Sequence, residues 1–191
     1  MDFNNYIGYL SKAIDSVDPV QVESFIDLLY GAYKNRQMVF VIGNGGSAAN
    51  ASHFAQDLAK GTRADINQDK RIKALSLTDN LPFVTALGND DGYDTIFEQQ
   101  LRTFASPGDI LVCISGSGNS PNIIKAVEWA NKNQLITVGV TGFSGGKLKT
   151  LNKYSLHVPL DDMCTAESVH SIIFHYVIIK LQKLLANGKT D

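Results

Sequence analysis

From Met38 onward the chain alternates short, unbroken apolar runs with longer stretches of helical spacing, and this alternation leaves few folds open. The apolar runs are Met38–Ile42, Ala74–Thr78, Ile110–Ser115, Ile136–Thr141 and Tyr154–Val158. Helical spacing marks Ser47–Lys60, Leu81–Leu87, Thr95–Phe104, Pro121–Lys132 and, after the last run, Ala166–Leu185. Strands that do not alternate in polarity are buried on both faces, so these segments predict a five-stranded parallel sheet between helical layers. The expected fold is a doubly wound α/β three-layer sandwich.

Two helices should precede it. Phe3, Tyr6, Ile7, Leu10 and Ile14 recur at intervals of three and four. Asp18-Pro19 reads as the cap and first residue of a second helix, with Val22, Phe25, Ile26, Leu29 and Tyr33 on one face. Residues 1–36 as a helical pair and 37–191 as the α/β core make one expected domain, since no repeat, low-complexity tract or long linker interrupts them. The 17 basic and 19 acidic side chains give a net charge of −2, which argues against a nucleic-acid-binding polycation, and 44% hydrophobic residues argue against disorder. Met1 to Tyr6 carry no basic segment leading into an apolar one, and no apolar run approaches the ~18 residues of a membrane span. A cytoplasmic protein without membrane or nucleic-acid partners is expected. Two cysteines, Cys113 and Cys164, are too few for a disulfide framework or a thiolate metal knot.

In a doubly wound sheet, ligands bind beyond the carboxyl ends of the strands. The first strand leads into Gly43-Asn44-Gly45-Gly46-Ser47-Ala48-Ala49, a glycine turn opening directly into a helix, whose free N–H groups and dipole favour an anion. The third leads into Ser115-Gly116-Ser117-Gly118-Asn119-Ser120-Pro121-Asn122, where hydroxyls and amides form a neutral phosphate cradle. Two anion-friendly loops suit a sugar phosphate better than a bare anion. A dinucleotide site fits poorly, because the acidic residue expected ~20 positions on could only be Asp65, in a polar stretch instead of at a strand end. No NTPase P-loop sequence occurs.

His53 and Asp57 stand four apart, on one face of the helix that follows the glycine turn. Glu167, His170 and His175 cluster in the last helical stretch. Eight residues of helix rise ~12 Å, so Glu167 and His175 cannot share one ion on a single regular helix. Either Glu167 precedes the helix and folds back, or the site draws on two subunits. Imidazole nitrogen with carboxylate oxygen suits a divalent ion such as zinc. His157 reads as a strand or edge residue without a chemical task, and His170 as packing.

The chain resembles the sugar isomerase (SIS) domain proteins, specifically the phosphoheptose (sedoheptulose 7-phosphate) isomerase family. The resemblance rests on Gly43 to Ala49, His53-Phe54-Ala55, Thr85 to Asp90, Ser117 to Asn122, Thr141-Gly142 with Gly145 to Leu148, and Val169-His170 with His175. It implies a tetramer with active sites at subunit interfaces. It also implies that Ser115, Ser117 and Ser120 hold the phosphate, that Asn44, Gly45, Gly46, Asn89 and Asp90 surround the sugar, and that Ser47, Gly116 and Glu167 belong to the same binding set. His53, Asp57, Glu167 and His175 would hold a divalent ion, zinc in the family, and Asp57 with His175 would move protons. This chain departs from the family pattern in carrying Asp57 for Glu, Glu167 for Gln and Gly116 for Thr. The implied reaction is aldose–ketose isomerisation of sedoheptulose 7-phosphate to D-glycero-D-manno-heptose 7-phosphate. The alternatives are isomerisation of a different sugar phosphate, or a non-catalytic tetramer that binds the replication initiator protein. His or carboxylate at all four metal positions favours catalysis.

Overall fold

Each apolar run forms a strand in the computed structural model, which describes residues 1–187; the last four positions of the expected domain, 188–191, lie outside the described residues. The strands are β1 (Met38–Gly43), β2 (Lys73–Ser76), β3 (Ile110–Ser115), β4 (Ile136–Thr141) and β5 (Tyr154–His157). They pair in parallel in the order β2-β1-β3-β4-β5. The chain steps from β1 to one side and then returns past it to β3, so the connections after these neighbouring strands diverge. That is the topological switch point, where a crevice opens at the carboxyl end of the sheet.

Successive side chains of each strand feed opposite layers. Val39 and Val41 of β1, with Ile110, Val112 and Ile114 of β3, enter one core. Helices α1 (Phe3–Asp15), α2 (Pro19–Asn35), α3 (Gly46–Gln56) and α8 (Met163–Asn187) cover that face. Phe40, Ile42, Leu111 and Cys113 enter the other core, under α4 (Leu81–Asp90), α5 (Ile96–Phe104), α6 (Pro121–Lys132) and the single turn α7 (Leu148–Leu151). The expected N-terminal cap is present, with the Asp18 carboxylate accepting from the Val20 N–H at 2.9 Å and Pro19 in the first turn.

Departures from the expected elements have local causes. The helix read through Lys60 gives way after Gln56 to a π-helical turn, Asp57–Gly61. Two carbonyls of the widened turn find side-chain donors: Thr62 Oγ1 donates to Leu58 O at 2.7 Å and Gln182 Nε2 to Gly61 O at 2.8 Å. The last helix starts at Met163 because the Asp162 carboxylate accepts from both the Thr165 hydroxyl, at 2.7 Å, and its amide, at 3.3 Å. Cys164 therefore lies in that first turn. Met163–Ala186 has the length and apolar composition of a membrane span. Its inward side chains Val169, Phe174, Val177 and Leu181 are buried in the core of the sandwich.

His170 is fully buried on α8, with Nε2 3.2 Å from Thr141 O at the end of β4. The carbonyl requires a donor, so the proton sits on Nε2, and Nδ1 is left without a partner among the described residues. Burial pushes the imidazole down to about 4. Folded His170 thus stays neutral where an unfolded histidine, near 6.5, takes up a proton. Stability is expected to be undiminished above pH ~6.5 and to fall by on the order of 3 kcal/mol as pH drops toward 4. His170→Gln should remove this part of the pH dependence in urea unfolding. Phe54 of α3 stacks on Phe174 of α8, with centroids 4.3 Å apart, and approaches Phe25 at 5.9 Å. Phe54→Ala is expected to cost about 3–5 kcal/mol in the same measurement.

Candidate active site

Helices α3 and α8 lie side by side, and their mutual contacts run through the whole site. At the start of α3, a Cβ on Gly46 would stand where the Glu167 carboxylate lies, so Glu167 packs directly against the glycine backbone. One turn on, Asn50 Nδ2 donates to Glu167 O at 3.2 Å and accepts from Ser171 Oγ at 3.0 Å through its Oδ1. Beyond the Phe54–Phe174 stack, His53, Asp57 and His175 come together on the surface.

In this trio, His53 Nε2 lies 3.3 Å and His175 Nε2 3.9 Å from the same oxygen, Asp57 Oδ2. The imidazole rings meet edge to face, with centroids 5.1 Å apart. Asp57 opens the π-turn, a local device frequent at functional sites. One ligand atom from each residue lies within 4.8 Å of the other two, and two imidazole nitrogens with one carboxylate oxygen match the donor chemistry of a zinc-like ion. The residues therefore fit a metal. Glu167 is not in this cluster: it sits eight residues earlier on one continuous helix, which removes the fold-back alternative.

The two strand-end loops meet at the switch point, where a cleft of about 310 Å³ is lined by Asn44 to Ser47, Ile114 to Ser117, Ser120, Met163 and Glu167. No side chain caps α3 at Gly45, so the Gly46 and Ser47 amides are left for a ligand or water; in α6 Pro121 has no N–H and the Ile123 amide is bonded to Asn122 Oδ1 at 3.0 Å, which leaves the Asn122 amide. Ser115 Oγ lies 3.4 Å from Ser120 Oγ and accepts from the Gly118 amide at 3.2 Å; Ser117 Oγ accepts from the Asn119 amide at 3.3 Å. Ser47 Oγ donates to Glu167 at 3.4 Å. Asn89 and Asp90 end α4, bonded to each other at 2.7 Å, and do not line this cleft.

Three residues of the neighbourhood were not legible as site residues. Met163 packs its thioether where a side chain on Gly116 would stand and forms an apolar wall of the cleft. Asn122 and Tyr93 bond to Asn44 from 78 and 49 residues away. A sequence carries no periodic signal for such pairs. Cys113 is fully buried and its thiol is pushed well up by burial, so it offers no nucleophile.

The class is defined by a parallel sandwich with an anion-ready cleft at its switch point, and residues 2–142 match the family model described as the SIS domain. Phosphoheptose isomerase of Clostridium acetobutylicum is 37% identical over 171 residues, covering 90% of this chain and 86% of that protein. The Helicobacter pylori enzyme of the same name is 34% identical over 93% of this chain and 91% of its own length. The solved phosphoheptose isomerase of Neisseria gonorrhoeae superposes with a TM-score of 0.86 at 28% identity, covering 94% of this chain and 96% of that one. The chain belongs to the SIS domain family and, within it, to the phosphoheptose isomerases. It is an isomerase of the intramolecular oxidoreductase class.

Gly118 has a φ of +66° and no room for a Cβ against the Gly145 backbone. Gly118→Ala is expected to lose at least about 1–2 kcal/mol of stability from the left-handed backbone alone. It should also distort the serine loop, read as weakened inorganic phosphate binding in calorimetry.

Proposed function

We propose that this sugar-phosphate isomerase converts sedoheptulose 7-phosphate to D-glycero-D-manno-heptose 7-phosphate in the cytoplasm, at metal sites completed between subunits of a homotetramer. The observation that carries the reading is the convergence of His53, Asp57 and His175 on one surface of α3 and α8. The curated relatives named for phosphoheptose support the choice of substrate.

Aldose–ketose isomerisation moves a hydrogen between adjacent carbons while the carbonyl and hydroxyl exchange places, and it needs a base and an acid. Asp57 takes the proton from the carbon beside the carbonyl and returns it to the neighbouring carbon. His175 handles the proton on the oxygen. His53 braces the Asp57 carboxylate from the other side, 3.3 Å away. Serines 115, 117 and 120, with the amides of both loops, hold the phosphate. A divalent ion held by His53, Asp57, His175 and a Glu167 would, when bound, polarise the carbonyl and stabilise the enediolate.

Subunit sharing is supported by length. Ser47, which lines the cleft, and Asp57 are separated by about 15 Å of helical rise, so one chain's cleft and the same chain's proton-transfer pair stand far apart. A Glu167 and a serine cleft brought by a neighbouring copy would close the gap. Ile172, Tyr176 and Ile179 lie exposed on the free face of α8, and Ile14, Val22 and Val169 extend them into an apolar groove suited to such a copy.

The test is a direct assay. Zinc-loaded protein is expected to form aldose from sedoheptulose 7-phosphate with a higher kcat/KM than from pentose or hexose ketose phosphates tested beside it; preference for a shorter sugar would displace the proposed substrate. His175→Gln should keep its fold and lose at least about 100-fold in kcat. His53→Ala should lose stoichiometric zinc in equilibrium dialysis, and retained zinc would remove His53 from the metal set.

A further inference from the structure

Asn44 stands at the mouth of the first strand-end loop and lines the cleft. Its side-chain amide has two possible orientations, which would offer a ligand opposite chemistry. The surroundings choose one. The Ile123 amide donates to Asn122 Oδ1 at 3.0 Å, which fixes the acceptor end of Asn122 against a backbone group that cannot accept. Asn122 is buried, and its Nδ2 donates to Asn44 Oδ1 at 2.9 Å while its Oδ1 accepts from Asn44 Nδ2 at 2.9 Å. Tyr93 adds a second donor to Asn44 Oδ1 at 3.0 Å. The residue after Tyr93, Asp94, is paired with Lys125 of α6.

The carbonyl of Asn44 is thus satisfied twice, and one N–H of its amide keeps no partner among the described residues. We infer that Tyr93 and Asn122 are positioning residues that lock the Asn44 amide with a donor, and not an acceptor, toward the ligand in the cleft. The inference deepens the proposed function and rests on it for the identity of the ligand. The cleft then presents donors from both loops, and the recognised group is an acceptor oxygen of the phosphorylated sugar, a phosphoryl or carbonyl oxygen. Tyr93 acts only through Asn44.

A double-mutant cycle separates this from a contact made by Tyr93 itself. Tyr93→Phe is expected to weaken sedoheptulose 7-phosphate binding, measured by calorimetry, about threefold to tenfold. In an Asn44→Ala background the same substitution should have no further effect. An equal loss in both backgrounds, or no loss in the wild-type background, overturns the assignment. Side-chain amide NMR of the ligand-free protein reads the lock independently of any substrate. The Asn44 proton bonded to Asn122 should exchange with solvent far more slowly than its geminal partner, and Asn122→Ala should make both exchange fast. Two equally fast protons in the wild-type protein overturn the lock. Wild-type protein that binds no sedoheptulose 7-phosphate refutes the proposed substrate, while the amide signals still decide the orientation.

Discussion

The lateral packing of α3 on α8 is the constraint on which the rest of the site depends. Gly46 against Glu167, Asn50 against Glu167 and Ser171, and Phe54 against Phe174 set one register along the pair. That register brings His175 opposite His53 and Asp57, although the two helices are separated by more than half of the sequence. The aromatic stack supplies the stiffness, since buried rings in contact resist sliding. The π-turn then rotates the chain beyond Asp57, and Gln182 of α8 catches its last carbonyl, so the trio is braced on both sides.

The sheet order contributes the second half of the geometry. Because β1 and β3 are neighbours whose connections leave in opposite directions, their loops face each other across one crevice. Among the described residues, no lysine or arginine lines it. Any anion there is held by helix-terminal amides and serine hydroxyls, which are neutral, short-range and directional. Such a cradle rewards correct placement more than charge. That suits a site that must hold a flexible sugar chain at one end while protons move at the other.

Much of this was legible in the chain. Near-continuous apolar runs marked the inner strands β1, β3 and β4, which are buried along almost their whole length, whereas the edge strands β2 and β5 mix polar with apolar residues and are only partly buried. The two loops and the His53/Asp57 pair were legible because their spacing is local. The single turn α7, the short 3₁₀ turn Tyr93–Thr95 and the π-turn were not, being too brief to show a period. Tyr93, Asn122 and Met163 escaped for another reason: each matters through a contact across the fold. The apolar length of α8 does not show as a run either, since Glu167, Lys180 and, between them, Ser168, His170, Ser171 and His175 interrupt the run without interrupting the helix.

Glu167 is the residue whose surroundings bear most on assembly. In the single chain its carboxylate leans on Gly46 and accepts from Ser47, within the cleft that would take a phosphate. An ionised carboxylate only accepts hydrogen bonds, so it draws on the Ser47 hydroxyl, a donor that a phosphate in the cleft would also use. Two anions sharing one set of neutral donors repel, and the phosphate, with more acceptor oxygens, competes better for them. The glutamate end is flexible and can leave the cradle, but a charge displaced from its donors needs another partner. On the proposed reading, that partner would be a divalent ion held beside the histidines of a neighbouring copy. Filling the phosphate cradle and completing the metal site would then be coupled, because the side chain leaving the first is the one that the proposed second site would take up.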